Sequence, residues 1–365
     1  MHRKLRAGLT ALCLALSLGA CGGGGDGGGG GTSPPPTVDA FAEVDRLAAA
    51  TFARQAIPGM GVAIYDRNDR KVFEKMYGDF APDRRVAVAS ASKMVSGLVI
   101  FRLIDQGFLS LDSTTAAVLG WTGPQGAITL RHLLSFTSGL PPIAACISQA
   151  AITLAECVAQ ISALTPVAAP GTRFYYGNTH LQVAARMAEV VTGSSWNTIF
   201  AQQLGQPLRL PAAVSYYTAP RLEAGTSNPL VAGGLRASMN EYASLLSVVF
   251  HHGTWEGQRL VAASLFEAQA REPFPGVVIG YSPMSALAFN FRYGLTAWLE
   301  CATPATGCAV ISSPGAFGWT PWVDLGGGYY AIIGMEVGDA TDGVVNFSVQ
   351  LAQDLKPAIR RALGT

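Results

Sequence analysis

The stretch Val86-Ala87-Val88-Ala89-Ser90-Ala91-Ser92-Lys93 ends in an S-x-x-K tetrad and precedes an apolar run from Met94 to Ile104. This pattern predicts an extended segment that turns into a helix at the tetrad. Residues three apart share a helix face, so the amine of Lys93 can reach the hydroxyl of Ser90 and accept its proton. Apolar surroundings would depress the pKa of Lys93, as a base requires. Taken alone, the tetrad also fits a chance match in which Ser90 only caps the helix.

A second motif, Y-x-N, lies in Phe174-Tyr175-Tyr176-Gly177-Asn178, just before another amphipathic helix. A turn of this kind can present a phenol and an amide to one cavity. Tyr176 would then be the proton shuttle or base near Ser90, and Asn178 the partner of Lys93 or of a substrate carbonyl. The alternative is a half-buried aromatic and a helix N-cap. Two motifs in this order favour the catalytic interpretation.

The hydrophobic periodicity predicts strands at both ends of the chain and helices between them. The predicted strands are Met60 to Tyr65, Lys71 to Tyr77, Tyr293 to Glu300, Cys308 to Ser312, Trp319 to Asp324 and Tyr329 to Val337. Helical periodicity dominates from Ser90 to about His252, and Val344 to Leu363 reads as a closing helix. We therefore expect an α/β fold in which distant segments complete one sheet, with an all-helical lobe inserted at about 90–255.

With these two motifs, the chain resembles the serine β-lactamase and penicillin-binding protein superfamily, in its class C-like branch of β-lactamase-related hydrolases and esterases. Beyond the two motifs, five stretches are similar to the family: Ile57 to Ile64, Gly107 to Asp112, Leu133 to Leu140, Gly233 to Leu235, and Tyr293 to Leu295. The resemblance implies an antiparallel sheet formed by the N- and C-terminal segments and flanked by helices. It also implies a catalytic groove between this sheet and the helical lobe.

The resemblance further implies a third motif, a K-T-G or H-T-G triplet on a strand that lines the site. The matching triplet here is Ser313-Pro314-Gly315, which keeps the glycine that lets substrate approach and replaces the base by Ser313. In the family, the oxyanion hole pairs the backbone N–H of the nucleophile with one just past the triplet, which corresponds to Ser90 and Ala316.

A missing cation at position 313 removes a partner for a substrate carboxylate, so we expect neutral substrates to be preferred. Arg236 or Arg292 could still supply the charge. Aromatic surface for a neutral substrate could come from Phe317, Trp319 and Trp322.

The first twenty residues have the pattern of a secretory signal peptide. Three basic residues precede the apolar run Ala7 to Ala20, which is shorter than the roughly 20 residues of a spanning helix. The end of the run, Leu18 to Cys21, resembles a bacterial lipobox in which Cys21 is lipidated. Residues 21–37 form a glycine- and proline-rich tether, and the hydrolase domain is expected at 38–365. Because Gly22 replaces the Asp of an inner-membrane retention signal, we expect an exported, periplasm-facing lipoprotein of the outer membrane.

Four of the remaining cysteines form two close pairs in a chain predicted to be exported. Disulfides Cys146–Cys157 and Cys301–Cys308 are the economical interpretation. A zinc site is the alternative, but the spacing of the histidines is wrong for one, and we expect neither a metal nor a cofactor.

Composition narrows the classes of function. The 365 residues are 49% apolar and 13% charged with a net charge of +1, which provides no basic excess for nucleic acid. The sequence contains no G-x-S-x-G motif, which is the nucleophile elbow of many charge-relay hydrolases, so it does not indicate that class of enzyme.

We expect a monomeric, lipid-anchored serine hydrolase that forms an acyl-enzyme with a small ester or amide. The alternatives are a β-lactamase or D-amino-acid peptidase, and a catalytically quiet relative that binds peptidoglycan or another ligand.

Overall fold

The first of the two strands that follow the first helix pairs with the last strand of the chain, and the second strand pairs with the first. The computed structural model describes residues 38–218, 225–335, 337 and 344–365. The predicted signal peptide, Cys21 and the tether lie outside these residues. The described residues fall in one compact unit.

The strands are β1 (Gly59–Asp66), β2 (Lys71–Gly78), β3 (Val86–Ala87), β4 (Arg173–Tyr175), β5 (Ser215–Tyr216), β6 (Leu235–Ala237), β7 (Thr254–Trp255), β8 (Gln258–Arg259), β9 (Val278–Tyr281), β10 (Arg292–Tyr293), β11 (Trp298–Leu299), β12 (Val310–Ser312), β13 (Thr320–Asp324) and β14 (Tyr329–Met335).

The α-helices are α1 (Ala42–Arg54), α2 (Ser92–Asp105), α3 (Thr115–Leu119), α4 (Gly123–Gly126), α5 (Leu130–Leu134), α6 (Leu154–Ser162), α7 (Thr179–Thr192), α8 (Trp196–Phe200), α9 (Met239–Phe250), α10 (Ala263–Gln269) and α11 (Val344–Leu363). Short 3₁₀ turns occur at Val38–Phe41, Ala89–Ala91, Ala145–Ser148 and Pro283–Leu287, and a π turn at Ala201–Gly205. No helix of the described ranges is both long and apolar enough to cross a membrane.

Seven strands form the main sheet in the order β10-β11-β12-β13-β14-β1-β2, and every neighbouring pair is antiparallel. The central pairing joins β1 to β14, with Val62 opposite Ile333. All eight residues of β1 are buried, because helices cover both faces of the sheet. The prediction that N- and C-terminal segments build one antiparallel sheet is confirmed.

Each face of the sheet has its own apolar core. On one face, α1 and α11 pack on the sheet through residues such as Val44 and Leu355. On the other face, α9 lies against β1 and β14. A Cβ atom at Gly61 or Gly334 would come within 2.8 Å of Met239, so glycine at both positions allows α9 to approach closely.

The structure differs from the sequence prediction in two places. The segment at about 90–255 is mainly rather than wholly helical, because the short strands β4, β5, β6 and β7 lie within it. The predicted strand from Tyr293 to Glu300 is instead the hairpin of β10 and β11. Its turn places Thr296 at φ 61°, a left-handed conformation that no strand accommodates.

Candidate active site

Ser90 lies on a strained turn between β3 and α2. The preceding residue, Ala89, is buried with φ 47°, a conformation that costs an alanine on the order of 1 kcal/mol or more. Ser92 holds this turn, since its Oγ donates to the Ala89 carbonyl (2.6 Å) and accepts from the backbone N–H of Leu235 (3.0 Å). The N–H of Val88 donates to the Leu235 carbonyl (3.1 Å). These contacts fix the main chain on both sides of Ser90.

Lys93 lies one turn further along, fully buried beneath Ser90. Its Nζ is 2.9 Å from Ser90 Oγ, 3.1 Å from Asn178 Oδ1 and 2.9 Å from the carbonyl oxygen of Ala232. Burial lowers the pKa of Lys93 to about 7, because the charged form loses its hydration. The amine can therefore lose its proton near neutral pH.

The partners of Lys93 determine where its lone pair points. A neutral amine has two N–H donors and one lone pair. Asn178 Oδ1 and the Ala232 carbonyl can only accept, so they take both donors. Ser90 Oγ can also donate, and it is left facing the lone pair. In the neutral state of Lys93 this arrangement directs the Ser90 hydroxyl proton at the amine.

The ring of Tyr176 lies between Lys93 and Trp298. Lys93 Nζ lies 4.8 Å from the centroid of this ring, and the ring stacks on Trp298 at 5.0 Å. Enclosure among aromatic rings raises the pKa of the Tyr176 hydroxyl well above its usual value, and hydrogen bonds with Ser90 and Trp298 only partly offset this. Tyr176 is therefore a neutral phenol at physiological pH. Of the roles that its sequence motif suggests, the geometry favours a proton shuttle over a resting base.

The Ser313–Gly315 triplet runs alongside the Ser90 turn. A Cβ atom at Gly315 would lie 2.2 Å from the Val88 carbonyl oxygen and 3.3 Å from the backbone nitrogen of Ser90. The glycine thus allows two main-chain segments to meet, whereas the sequence interpretation had it admit substrate. Ser313 is buried, and its Oγ donates to the Ser90 carbonyl (3.2 Å). Ala316, the next residue after Gly315, is exposed.

The suggested substitutes for the missing cation have other partners. Arg292 Nε donates to Glu272 Oε1 (2.8 Å), and its guanidinium also reaches the Val277 carbonyl. The guanidinium of Arg236 lies over the Tyr217 ring at 5.6 Å.

The expectation of aromatic groove surface from Trp319 and Trp322 is wrong. Both side chains are fully buried, since the sheet turns them into the two cores. Phe317 remains partly exposed.

Two histidines have structural partners. His180 is buried, with Nδ1 2.8 Å from Ser138 Oγ and Nε2 2.9 Å from the Tyr175 carbonyl. Burial lowers its pKa to about 4, so it stays neutral. His132 pairs with Thr129 at the start of α5.

Both predicted disulfides are present. Cys146 and Cys157 are joined with their Cα atoms 5.1 Å apart, and Cys301 and Cys308 with theirs 5.6 Å apart. The first ties the loop before α6 to that helix, and the second closes a short loop between β11 and β12.

The structure places Ser90, Lys93, Tyr176 and Asn178 next to one another, together with two contributors that the sequence did not indicate. One is the Ala232 carbonyl, which carries no side-chain signal. The only sequence feature next to it is the Gly233-Gly234 pair. A Cβ atom at Gly234 would lie 2.2 Å from the Tyr217 carbonyl oxygen, so the chain that follows Ala232 packs too closely for a side chain there. The other is Trp298, which reaches Tyr176 only through the unpredicted β10–β11 hairpin.

Comparisons with known proteins agree with this geometry. The family model described as Beta-lactamase matches residues 44–338. The D-alanyl-D-alanine-carboxypeptidase/endopeptidase AmpH of Escherichia coli K12 is 29% identical over 187 residues, covering 45% of this chain and 47% of that protein. The chain thus spans about half the length of the curated relatives it matches.

Two solved structures cover almost all of the domain. A candidate β-lactamase from Bacteroides dorei DSM 17855 has 31% identity and a TM-score of 0.76, covering 87% of this chain and 98% of that one. EstCE1, a hydrolase with promiscuous acyltransferase activity, has 19% identity and a TM-score of 0.68, covering 90% and 99%, and so shares the fold.

Proposed function

The chain belongs to the β-lactamase family of serine hydrolases, and on that premise we propose that it hydrolyses neutral esters or amides through an acyl-enzyme on Ser90. The observation that carries the proposal is the 2.9 Å contact between Ser90 Oγ and a fully buried Lys93. A fully buried lysine is costly to a fold, and a role in proton transfer accounts for it.

In the proposed acylation step, neutral Lys93 takes the proton from Ser90 Oγ as that oxygen bonds to the carbonyl carbon of the substrate. Negative charge passes to the carbonyl oxygen. The backbone N–H groups of Ser90 and Ala316 would bind that oxyanion, and the contact of Gly315 with the Ser90 turn supports their convergence. The strained turn at Ala89 fixes the direction of the Ser90 N–H before substrate arrives.

Collapse of the tetrahedral intermediate expels the leaving oxygen or nitrogen, which must gain a proton. Tyr176 is a neutral phenol beside Ser90 and can donate it. The protonated Lys93 then restores the phenol, and the hydrogen bonds that both side chains make with Ser90 bring the two groups close together. Water attacks the acyl carbon in the second half, with Lys93 and Tyr176 taking its proton and returning one to Ser90.

A neutral substrate is proposed because Ser313 is uncharged, buried and bonded to the Ser90 carbonyl. Arg292, one suggested substitute cation, is paired with Glu272. The second candidate is β-lactam hydrolysis or D-amino-acid peptidase activity, which the named activities of AmpH and the candidate β-lactamase favour. Penicillins and the peptides that a carboxypeptidase cleaves carry a carboxylate, for which position 313 offers no cation.

Labelling with a fluorophosphonate probe, followed by mapping of the modified serine, tests the nucleophile. We expect Ser90 to be labelled, and Ser90→Ala to lose both labelling and ester turnover without a large change in melting temperature. Ser162→Ala, at the end of α6, is the matched control and should keep both. Turnover that persists in Ser90→Ala would refute the assignment. Ligand binding without labelling would favour the quiet, ligand-binding alternative.

We also propose that the protein is an exported lipoprotein anchored through Cys21, facing the periplasm and favouring the outer membrane. The signal-like N-terminus, the lipobox resemblance and the two disulfides support this. Replacing Cys21 by Ser should release the protein from membranes into a soluble exported fraction. Retention of that variant in membranes would require a different attachment.

A further inference from the structure

The turn that carries Tyr176 and Asn178 is held by two surface elements, and both expose apolar side chains. The N–H of Tyr176 donates to the Tyr281 carbonyl (3.0 Å), and the N–H of Asn178 donates to the Pro142 carbonyl (2.8 Å). Tyr281 is 53% exposed, and Ile143, which follows Pro142, is 74% exposed. The exposed apolar residues therefore either hydrogen-bond with the Tyr176–Asn178 turn, as Tyr281 does, or directly follow a residue that does, as Ile143 does.

On the Tyr281 side, all four residues of β9 are exposed. Val278 is 53% exposed and Ile279 is 39% exposed. Within the described part of the chain, seven large apolar side chains are more than a third exposed, and four of them are on these two elements. We call this set, Ile143, Val278, Ile279 and Tyr281, the apolar lip.

The lip is also free of charge along the chain. No Asp, Glu, Lys or Arg occurs at 273–291, and the charged residues that bound this segment, Glu272 and Arg292, pair with each other. β9 pairs with β4 on one side only, and no strand of the described ranges covers its other edge. An exposed, uncharged, β-branched edge is an aggregation hazard that proteins normally suppress with charge. Its retention next to the segment that carries Tyr176 points to a ligand that covers it.

We propose that the apolar lip binds an extended apolar chain of the substrate, so that esters with long chains are better substrates than acetates and butyrates. This inference rests on the proposed esterase function and specifies its substrate class. The lip adjoins Tyr176 through the backbone hydrogen bond with Tyr281, so a chain leaving the Ser90 site can continue onto it. The chain can belong to the acyl group or to the alcohol, and the two are separable by experiment.

The size of the effect follows from the area covered. Full burial of one methylene corresponds to about a fourfold gain in kcat/KM, and contact on one side only to about twofold. Four additional methylenes from butyrate to octanoate should therefore raise kcat/KM by roughly tenfold or more.

The test compares kcat/KM across two substrate series in the full-length Cys21→Ser protein. p-Nitrophenyl acetate, butyrate, octanoate and decanoate vary the acyl chain, and ethyl, butyl and octyl acetate vary the alcohol. We expect a rise with chain length in at least one series. The octanoate-to-acetate ratio, or its counterpart in the alcohol series, should fall at least threefold in Ile143→Ser and in Ile279→Ser. The ratio of two kcat/KM values does not depend on the folded fraction, so it can be compared even for a variant that folds poorly.

Phe108→Ser is the matched control, because Phe108 is 48% exposed but lies beyond the C-terminal end of α2, about 20 Å along the helix axis from Lys93. Its ratio should match that of the parent protein. Flat or falling profiles in both series overturn the inference, whereas Ser90-dependent turnover of acetate would still uphold the proposed function. If the chain-length ratios are unchanged in the lip variants but binding to phosphatidylglycerol vesicles is weakened, the lip is a membrane contact and the inference is overturned.

Discussion

The hydroxyl of Ser313 donates a 3.2 Å hydrogen bond to the main-chain carbonyl of Ser90. The residue that occupies the position of the family's basic side chain therefore holds the main chain of the proposed nucleophile. A lysine or histidine in the same place would offer its charge to a substrate. One position thus links substrate choice to the geometry of the Ser90 turn.

The first prediction concerns selectivity. The parent protein should hydrolyse p-nitrophenyl butyrate with a higher kcat/KM than any penicillin. Ser313→Lys should raise the penicillin-to-ester ratio by roughly ten- to a hundredfold, since a charge-assisted contact to a carboxylate contributes about 1.5–3 kcal/mol. Ser313→Ala is the control: it removes the bond to Ser90 without adding charge and should lower both rates together. A penicillin that outperforms every neutral ester in the parent would exclude the neutral-substrate proposal.

The second prediction concerns pH. With the pKa of Lys93 at about 7, the amine is protonated below neutrality and cannot accept the Ser90 proton. For a neutral ester, kcat/KM should rise tenfold per pH unit on the acid side and level off above an apparent pKa of about 7. A profile that stays flat from about pH 5.5 to 8 would rule out Lys93 as the base.

The third prediction concerns stability. The unfolded chain holds a proton on Lys93 up to the ordinary lysine pKa of 10.5, whereas the folded chain loses it near 7. In this window the unfolded state binds more protons, so Lys93 makes the free energy of unfolding rise with pH. Lys93→Met should reduce the slope between about pH 7.5 and 9.5 by about 1.4 kcal/mol per unit, measured by urea denaturation. An unchanged slope would mean that the buried amine keeps its proton.

The fourth prediction concerns the close approach at Gly315. An alanine Cβ there would lie 2.2 Å from the Val88 carbonyl oxygen, so the Ser90 turn must shift. We expect Gly315→Ala to lose about 1–3 kcal/mol of stability, as overpacking does, and to lower kcat more than the folded fraction explains. Gly326→Ala is the control, since its Cβ would meet nothing closer than 3.5 Å. Equal activity in the two variants would contradict a role for Gly315 in shaping the turn.

Periodic patterns predicted most of the main sheet. The eight residues of β1 and the seven of β14 are apolar enough to be recognised, and α11 was predicted at its observed bounds, Val344–Leu363. The division of the predicted strand from Tyr293 to Glu300 into β10 and β11 could not be predicted, because a left-handed residue such as Thr296 has no signature in periodicity. The parallel pair of β4 and β9 depends on segments distant in sequence, and β9 does not alternate between apolar and polar residues.

The site was predictable where side chains carry the chemistry. Ser90 and Lys93 share a helical face, and the Y-x-N turn supplies Tyr176 and Asn178. The Ala232 carbonyl and the partner of Ser313 depend on main-chain geometry, which spacing alone does not reveal. The predictions for the signal peptide, Cys21 and the tether concern residues outside the described ranges and stay predictions.

The pairing of β1 with β14 also constrains how the protein is made. β1 is synthesised early, but its neighbour on one side does not exist until translation has passed Tyr329. Non-local pairing of this kind makes folding slow, and an unpaired strand attracts other chains while it waits. On the opposite side, β2 pairs at once and places Lys71, Glu74 and Lys75 on the outer edge. These charges oppose the pairing of other chains with the outer edge of β2. If translation stalls before β14 is made, the uncovered edge of β1 is therefore where we expect aggregation to begin.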